Sequence, residues 1–292
     1  MLKIAYSEIL GKSWKWTIKN KILWIFGIFI GGGGAIYNIP TREDTEALQG
    51  FSFNEAMGNL GVSLSEPGVI AMVIGLALLG IALVLIGFWA NASILIGLSK
   101  VKAGSPVKFV ELFKSGFNKI GRILLMEILF GILNLVFLVL GLIFVFAREG
   151  GTIWIGIVIV TVLMIIYNLL IFVFRHYSYC FAVLENEKAW SSIKKGWQLF
   201  RANIGALLVV KLMEIALWIG ISIGVIVALL ILVIPFILLG LILSFTAGPV
   251  GLTIAVTLGI ILILLALLIL RGAVNTFMRS YLTHVYWQAK GN

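Results

Sequence analysis

The chain has one cysteine, Cys180, and two histidines, His176 and His284. A lone cysteine excludes an internal disulfide. With so few histidines, and neither beside a Cys, His or carboxylate at ligand spacing, no metal centre is expected. Only 12% of the residues are charged, about half the share of an ordinary soluble domain. No phosphate loop, G-x-S-x-G or H-E-x-x-H occurs, so the common signatures of phosphoryl transfer, nucleophilic acyl transfer and zinc hydrolysis are missing. No cofactor is expected, and the protein reads as non-enzymatic.

What is abundant is apolar length. The 292 residues are 61% hydrophobic, with mean hydropathy +1.14. Several runs exceed the roughly 20 residues that cross a bilayer as a helix. They are continuously apolar rather than alternating, which excludes a β-barrel. The fold class read from the sequence is all-α: a polytopic membrane helical bundle forming one domain over 1–292.

The net charge is +10, which in a soluble chain would raise the question of nucleic acid. Its distribution answers otherwise. Residues 1–21, 100–122, 174–203 and the stretch from Arg271 are basic, whereas 38–66 is acidic and 235–250 uncharged. That alternation is the positive-inside pattern for six spans with both ends cytoplasmic, and it predicts a cell-membrane protein that attracts anionic lipid headgroups. Ile22–Ile30 is followed by Gly31–Gly34 rather than a small-x-small site, so it does not read as a cleavable signal. The glycines predict fraying or a close helix contact at the end of span 1, placed at 21–37. Spans 2 to 6 are placed at 67–98, 121–147, 152–181, 206–234 and 250–270. Pro235 and Pro249 bracket a re-entrant or turn segment, and Val274, Phe277, Tyr281 and Val285 extend the last helix along the membrane face.

Before spans 1, 3 and 5 lies an amphipathic segment. In AWSSIKKGWQLFRANIG, residues Trp190, Ile193, Trp197, Phe200 and Ile204 share an arc, with Lys194, Lys195 and Arg201 off it. Tyr6, Leu10 and Trp14 oppose Lys12, Lys15 and Lys19 in the first segment. Phe109, Phe113, Phe117 and Ile120 oppose Lys108, Lys114 and Lys119 in the second. Such helices lie in the headgroup plane, anchored by tryptophan and lysine. The order of amphipathic helix, span, turn and span recurs over about 1–104, 105–185 and 186–292. This predicts three parallel repeats about an axis along the membrane normal.

The stretches SWKWTIKNKILWIFGIF and AVLENEKAWSSIKKGWQLFRANIG resemble a broad group of poorly characterised prokaryotic six-span proteins. That group includes the membrane domain attached to some glycerophosphodiester phosphodiesterases. The resemblance implies the membrane architecture and no activity. The catalytic domain is absent, because no region of this chain could hold it.

The candidate chemistry is confined to intramembrane polar residues. Lys211 and Glu214, three apart, meet on one helix face. Glu127 has no basic residue three or four positions away, and would face Lys211 if the repeats pack about a common axis. Asn91, Asn134 and Asn168 are placed in spans 2, 3 and 4, where asparagine commonly bonds a neighbouring helix. Two functions compete. The first is a bilayer-organising, lipid-associated or scaffold protein with lipids, a second copy or another membrane protein as partner. The second is a small transporter or channel subunit lined by Glu127, Lys211 and Glu214.

Overall fold

The computed structural model describes residues 5–30, 67–146 and 152–291. Within them the chain is helical: α1 (Tyr6–Lys19), α2 (Ile22–Phe29), α3 (Pro67–Lys102), α4 (Phe109–Phe117), α5 (Ile120–Phe146), α6 (Thr152–Leu184), α7 (Ala189–Ala202) and α8 (Ile204–Lys290). Five segments are long and apolar enough to cross a membrane: Ile70–Lys102, Ile120–Ile143, Gly156–Leu184, and the two arms of α8, Ile204–Thr246 and Val250–Lys290. Of the first expected span the described part is α2. The rest of it, the acidic 38–66 loop and the 148–151 turn lie outside the described residues.

The core sits at one end of the bundle. There α1, α4 and α7 pack against the ends of α3, α6 and the second arm of α8, around Tyr177, Tyr281, Tyr286, Leu95, Leu98 and Met126. Toward the other end the helices present leucine, isoleucine and valine outward on every side. None of the most apolar window of α3 is buried. The physical reason is the solvent. Lipid surrounds an aliphatic side chain as well as protein does, so apolar helices gain little by packing there. Tyrosine, serine, threonine and histidine need partners, and the packed end is where the sequence supplies them. We call it the cap.

Two features differ from the sequence expectation. The chain stays helical through Pro235 and turns only at Gly248, whose φ of 63° lies in the left-handed region that glycine adopts freely. A proline in an apolar helix removes one backbone bond and is tolerated in membrane helices. The end of α8 does not lie along the membrane face. It runs into the cap, buried on nearly every side from Asn275 to Tyr286. The amphipathic helices leave most of each aromatic arc outside, and their most buried faces lie mainly elsewhere. They are narrower stripes: Ile9, Ser13 and Thr17 on α1, Leu112 and Gly116 on α4, and Ala189, Ser192, Gly196 and Phe200 on α7. Small side chains let backbones approach. A Cβ on Gly116 would strike the Ser93 hydroxyl, and one on Gly196 the Ser178 hydroxyl.

Asparagine marks each passage from amphipathic helix to apolar helix. The Asn20 amide Nδ2 donates to Trp16 O at 2.9 Å and that of Asn203 to Leu199 O at 3.2 Å, while the Asn118 backbone N–H donates to Lys114 O at 3.3 Å. These bonds serve carbonyls that the helix end leaves open.

Candidate functional site

Where the cap meets the apolar arms, ionisable side chains from four helical segments converge. Glu127 on α5 accepts from Arg175 on α6: Nε to Oε1 at 2.7 Å, and Nη2 to Oε2. The same Nε reaches the Tyr179 hydroxyl at 2.7 Å. Glu127 is therefore taken by Arg175, not by Lys211 as the repeat argument suggested. The partner lies 48 residues away on the neighbouring helix, beyond any spacing rule. Lys211 and Glu214, both buried, pair at 2.8 Å on the first arm of α8, and the ammonium sits 3.5 Å from the centre of the Phe172 ring.

Arg279, on the second arm, was not singled out by the sequence, where it counted only as part of a basic tail. Its Nη1 lies 3.1 Å from His176 Nδ1. Arginine can only donate, so Nδ1 accepts and the ring hydrogen sits on Nε2. That nitrogen is 3.4 Å from Thr283 Oγ1 and 3.6 Å from Cys180 Sγ, so His176, against the sequence reading of the two histidines, does have a cysteine one turn along its own helix. Arg279 is also within electrostatic reach of Glu214 and Glu127. Arg175, Lys211 and Arg279 thus face two carboxylates, and the layer is net positive. A polar stripe at i and i+4 in the last helix, Thr276, Ser280 and His284 beside Arg279 and Thr283, is the sequence signal that would have revealed it.

The asparagines divide. Asn134 and Asn168 bond each other between α5 and α6, Asn168 Nδ2 to Asn134 Oδ1 at 2.8 Å. Asn91 is buried in the cap end of α3, and its Oδ1 accepts no hydrogen bond among the described residues. A second polar contact closes on α2. Asn275 Nδ2 donates to Gly27 O at 2.8 Å and Ile30 O at 3.0 Å, Thr276 Oγ1 donates to Leu23 O at 3.0 Å, and Arg271 Nη2 donates to Ile30 O at 3.3 Å. Gly27 and Gly272 face each other with no room for a side chain. The fraying or close contact expected at Gly31–Gly34 lies outside the described residues.

The expected interface anchors lie on the outside of the cap. Trp14 is 59% and Trp190 69% exposed. Lys12, Lys15, Lys19, Lys194 and Arg201 are exposed as well. Trp197 is half-buried against Phe174. Lys195 reaches back to Glu187 at 2.5 Å, and Ser191 donates to the same carboxylate at 2.8 Å. Those two hydrogen bonds, the one from Lys195 foremost, hold the Glu187 carboxyl below its ordinary range. Where α4 meets α5, Lys119 and Arg122 both donate to Asn186 Oδ1 in the α6–α7 turn. Partial burial, then the neighbouring Arg122, pushes the Lys119 ammonium down. Among the described residues no group of three His, Cys, Asp or Glu side chains could hold a metal ion.

All-helical structure, apolar arms of membrane-crossing length and a paired polar layer beneath a packed cap define the class: a helical membrane protein. Within that class the chain belongs to a family of unknown function (DUF7544), whose model matches residues 20–288. No curated protein and no solved structure matches the chain.

Proposed function

We propose that this protein is a non-enzymatic component of the cell membrane, with six spans and both ends cytoplasmic, whose cap rests on the cytoplasmic leaflet and gathers anionic lipid. The observation that carries this is the outer surface of the amphipathic helices. Each gives its small-residue stripe to the protein and leaves large apolar side chains outside, beside lysine. Trp14 and Ile18 on α1, Phe113 and Phe117 on α4, and Trp190 on α7 are 45–69% exposed. Aromatic rings at headgroup level flanked by cations are what an anionic leaflet binds.

The three-repeat reading gains support from the packing. The amphipathic helix of each unit lies on the cap end of an even-numbered span: α4 on α3, α7 on α6 and α1 on the second arm of α8. Serine stands at each crossing: Ser93 at Gly116, Ser178 at Gly196, and Ser13 sharing His284 with Ser280.

The test is tryptophan fluorescence in vesicles containing brominated lipid. Quenching should be stronger when the brominated lipid is anionic than when it is zwitterionic, and the difference should shrink in Trp14→Phe and Trp190→Phe. Quenching independent of headgroup charge would remove the proposal. One observation favours a transporter or channel subunit instead: α2 ends against Asn275 and Arg271, as broken helices do beside transport sites. Solute flux abolished by Glu127→Gln with Glu214→Gln would establish that reading.

A further inference from the structure

Between the two arms of α8 lies a cleft of about 330 Å³, at the lower end of the range for small-ligand sites. Its walls are apolar, with Trp218, Ile221, Val225, Leu267 and Val274 prominent, and Arg271 and Asn275 stand among them. From these residues we infer that the cleft holds one acyl chain of an anionic phospholipid whose phosphate pairs with Arg271.

Depth supports the assignment. Arg271 directly follows the uncharged run 250–270. At about 1.5 Å per residue that run spans roughly the 30 Å hydrocarbon core. Arg271 is therefore at the edge of the core, within reach of the phosphate level. Charge complementarity supports it too. Arginine carries five donors, and the hydrogen bond recorded for Arg271 is the 3.3 Å contact to Ile30 O. No carboxylate among the described residues forms an ion pair with it. A guanidinium matches phosphate in fork geometry, and the bond is charge-assisted. Asn275 cannot serve in its place, because its amide nitrogen is engaged with Gly27 O and Ile30 O. The site lies apart from the aromatic flanks of α1, α4 and α7 and does not depend on the reading above.

The test is native mass spectrometry of the full chain with phosphatidylglycerol, phosphatidylcholine of the same chains, or oleate. Wild type should retain one phosphatidylglycerol per chain, with roughly tenfold preference over phosphatidylcholine, whose own trimethylammonium competes with Arg271 for the phosphate. Arg271→Gln should lose the preference and Arg271→Lys keep part of it. Val225→Trp, which fills the cleft without touching Arg271, should lose retention while its melting temperature holds. Preference unchanged in Arg271→Gln overturns the site, since the arginine would then be only a cap for α2 or the partner of an acid within 31–66. Lipid retained by Val225→Trp, or oleate competing as well as phosphatidylglycerol, overturns it equally. With Trp218 replaced by Phe to silence the cleft, Arg271→Gln should leave the brominated-lipid quenching unchanged, so failure here is distinct from failure of the proposed function.

Discussion

Asn186 has a φ of 60°, in the region where asparagine is tolerated and most side chains are strained. The same residue offers its Oδ1 to Lys119 and Arg122. Two changes separate these roles. Asn186→Gly should keep the turn and lose only the side-chain bonds, at about 1 kcal/mol. Asn186→Ala should add backbone strain and cost about 2 kcal/mol, both measured by thermal unfolding in detergent. The Glu127–Arg175 pair gives a second expectation. Removing one charge with Glu127→Leu leaves the other unpaired and should cost about 2–3 kcal/mol, whereas Glu127→Leu with Arg175→Met should recover most of it. Equal losses in single and double variants would contradict the pairing. Residue-scale chemistry was legible where partners share a helix. Lys211 and Glu214 meet because they are three apart. Glu127 with Arg175, and Arg279 with His176, come from different helices, and no periodicity reports such contacts.

The helices themselves were legible because apolar length and the 3.6-residue period set them. Which face each one buries was not. The aromatic arc of α7 marks a face for the headgroups, whereas contact with α6 is set by how closely backbones can approach, so Ala189, Ser192 and Gly196 turn inward with Phe200 and Trp190 stays out. Gly196→Leu and Gly116→Leu should therefore detach their helices and lower the melting temperature. Gly131→Leu, where the space is open, should not. The Glu187 strap adds a pH dependence at the start of α7. Its carboxyl titrates lower in the folded chain, because Lys195 and Ser191 bond the ionised form. Its contribution is present above the ordinary carboxylate pKa of 4.5 and is lost as pH falls through the lowered folded value. Hydrogen-exchange protection around 189–195 should fall on that descent in wild type and stay flat in Glu187→Gln.

At the scale of the whole molecule, the sequence shows membrane helices but not where they pack. Composition is similarly apolar from Ile70 to Leu98, yet packing begins only near Trp89, where Asn91 and Ser93 join the run. The cap closes between elements far apart in sequence. Ser13 Oγ lies 3.3 Å from His284 Nδ1 across 271 residues, and Tyr286 donates to Glu185. Cysteines at Ser13 and Ser280, with Cys180→Ser, should be joined by a short bifunctional thiol reagent. Proteolysis within 31–66 should then leave the fragments linked on a denaturing gel. No link would show that α1 docks elsewhere.

The closure of α1 and α2 on the second arm of α8 has a consequence for biosynthesis. These helices leave the ribosome first, yet the side chains that hold them, Asn275, Thr276 and His284, are translated some 250 residues later. Until then the small-residue face of α1 has no native surface to cover it. A message cut short before codon 275 would strand that face on every copy made, giving membrane quality control a clear mark of an unfinished chain.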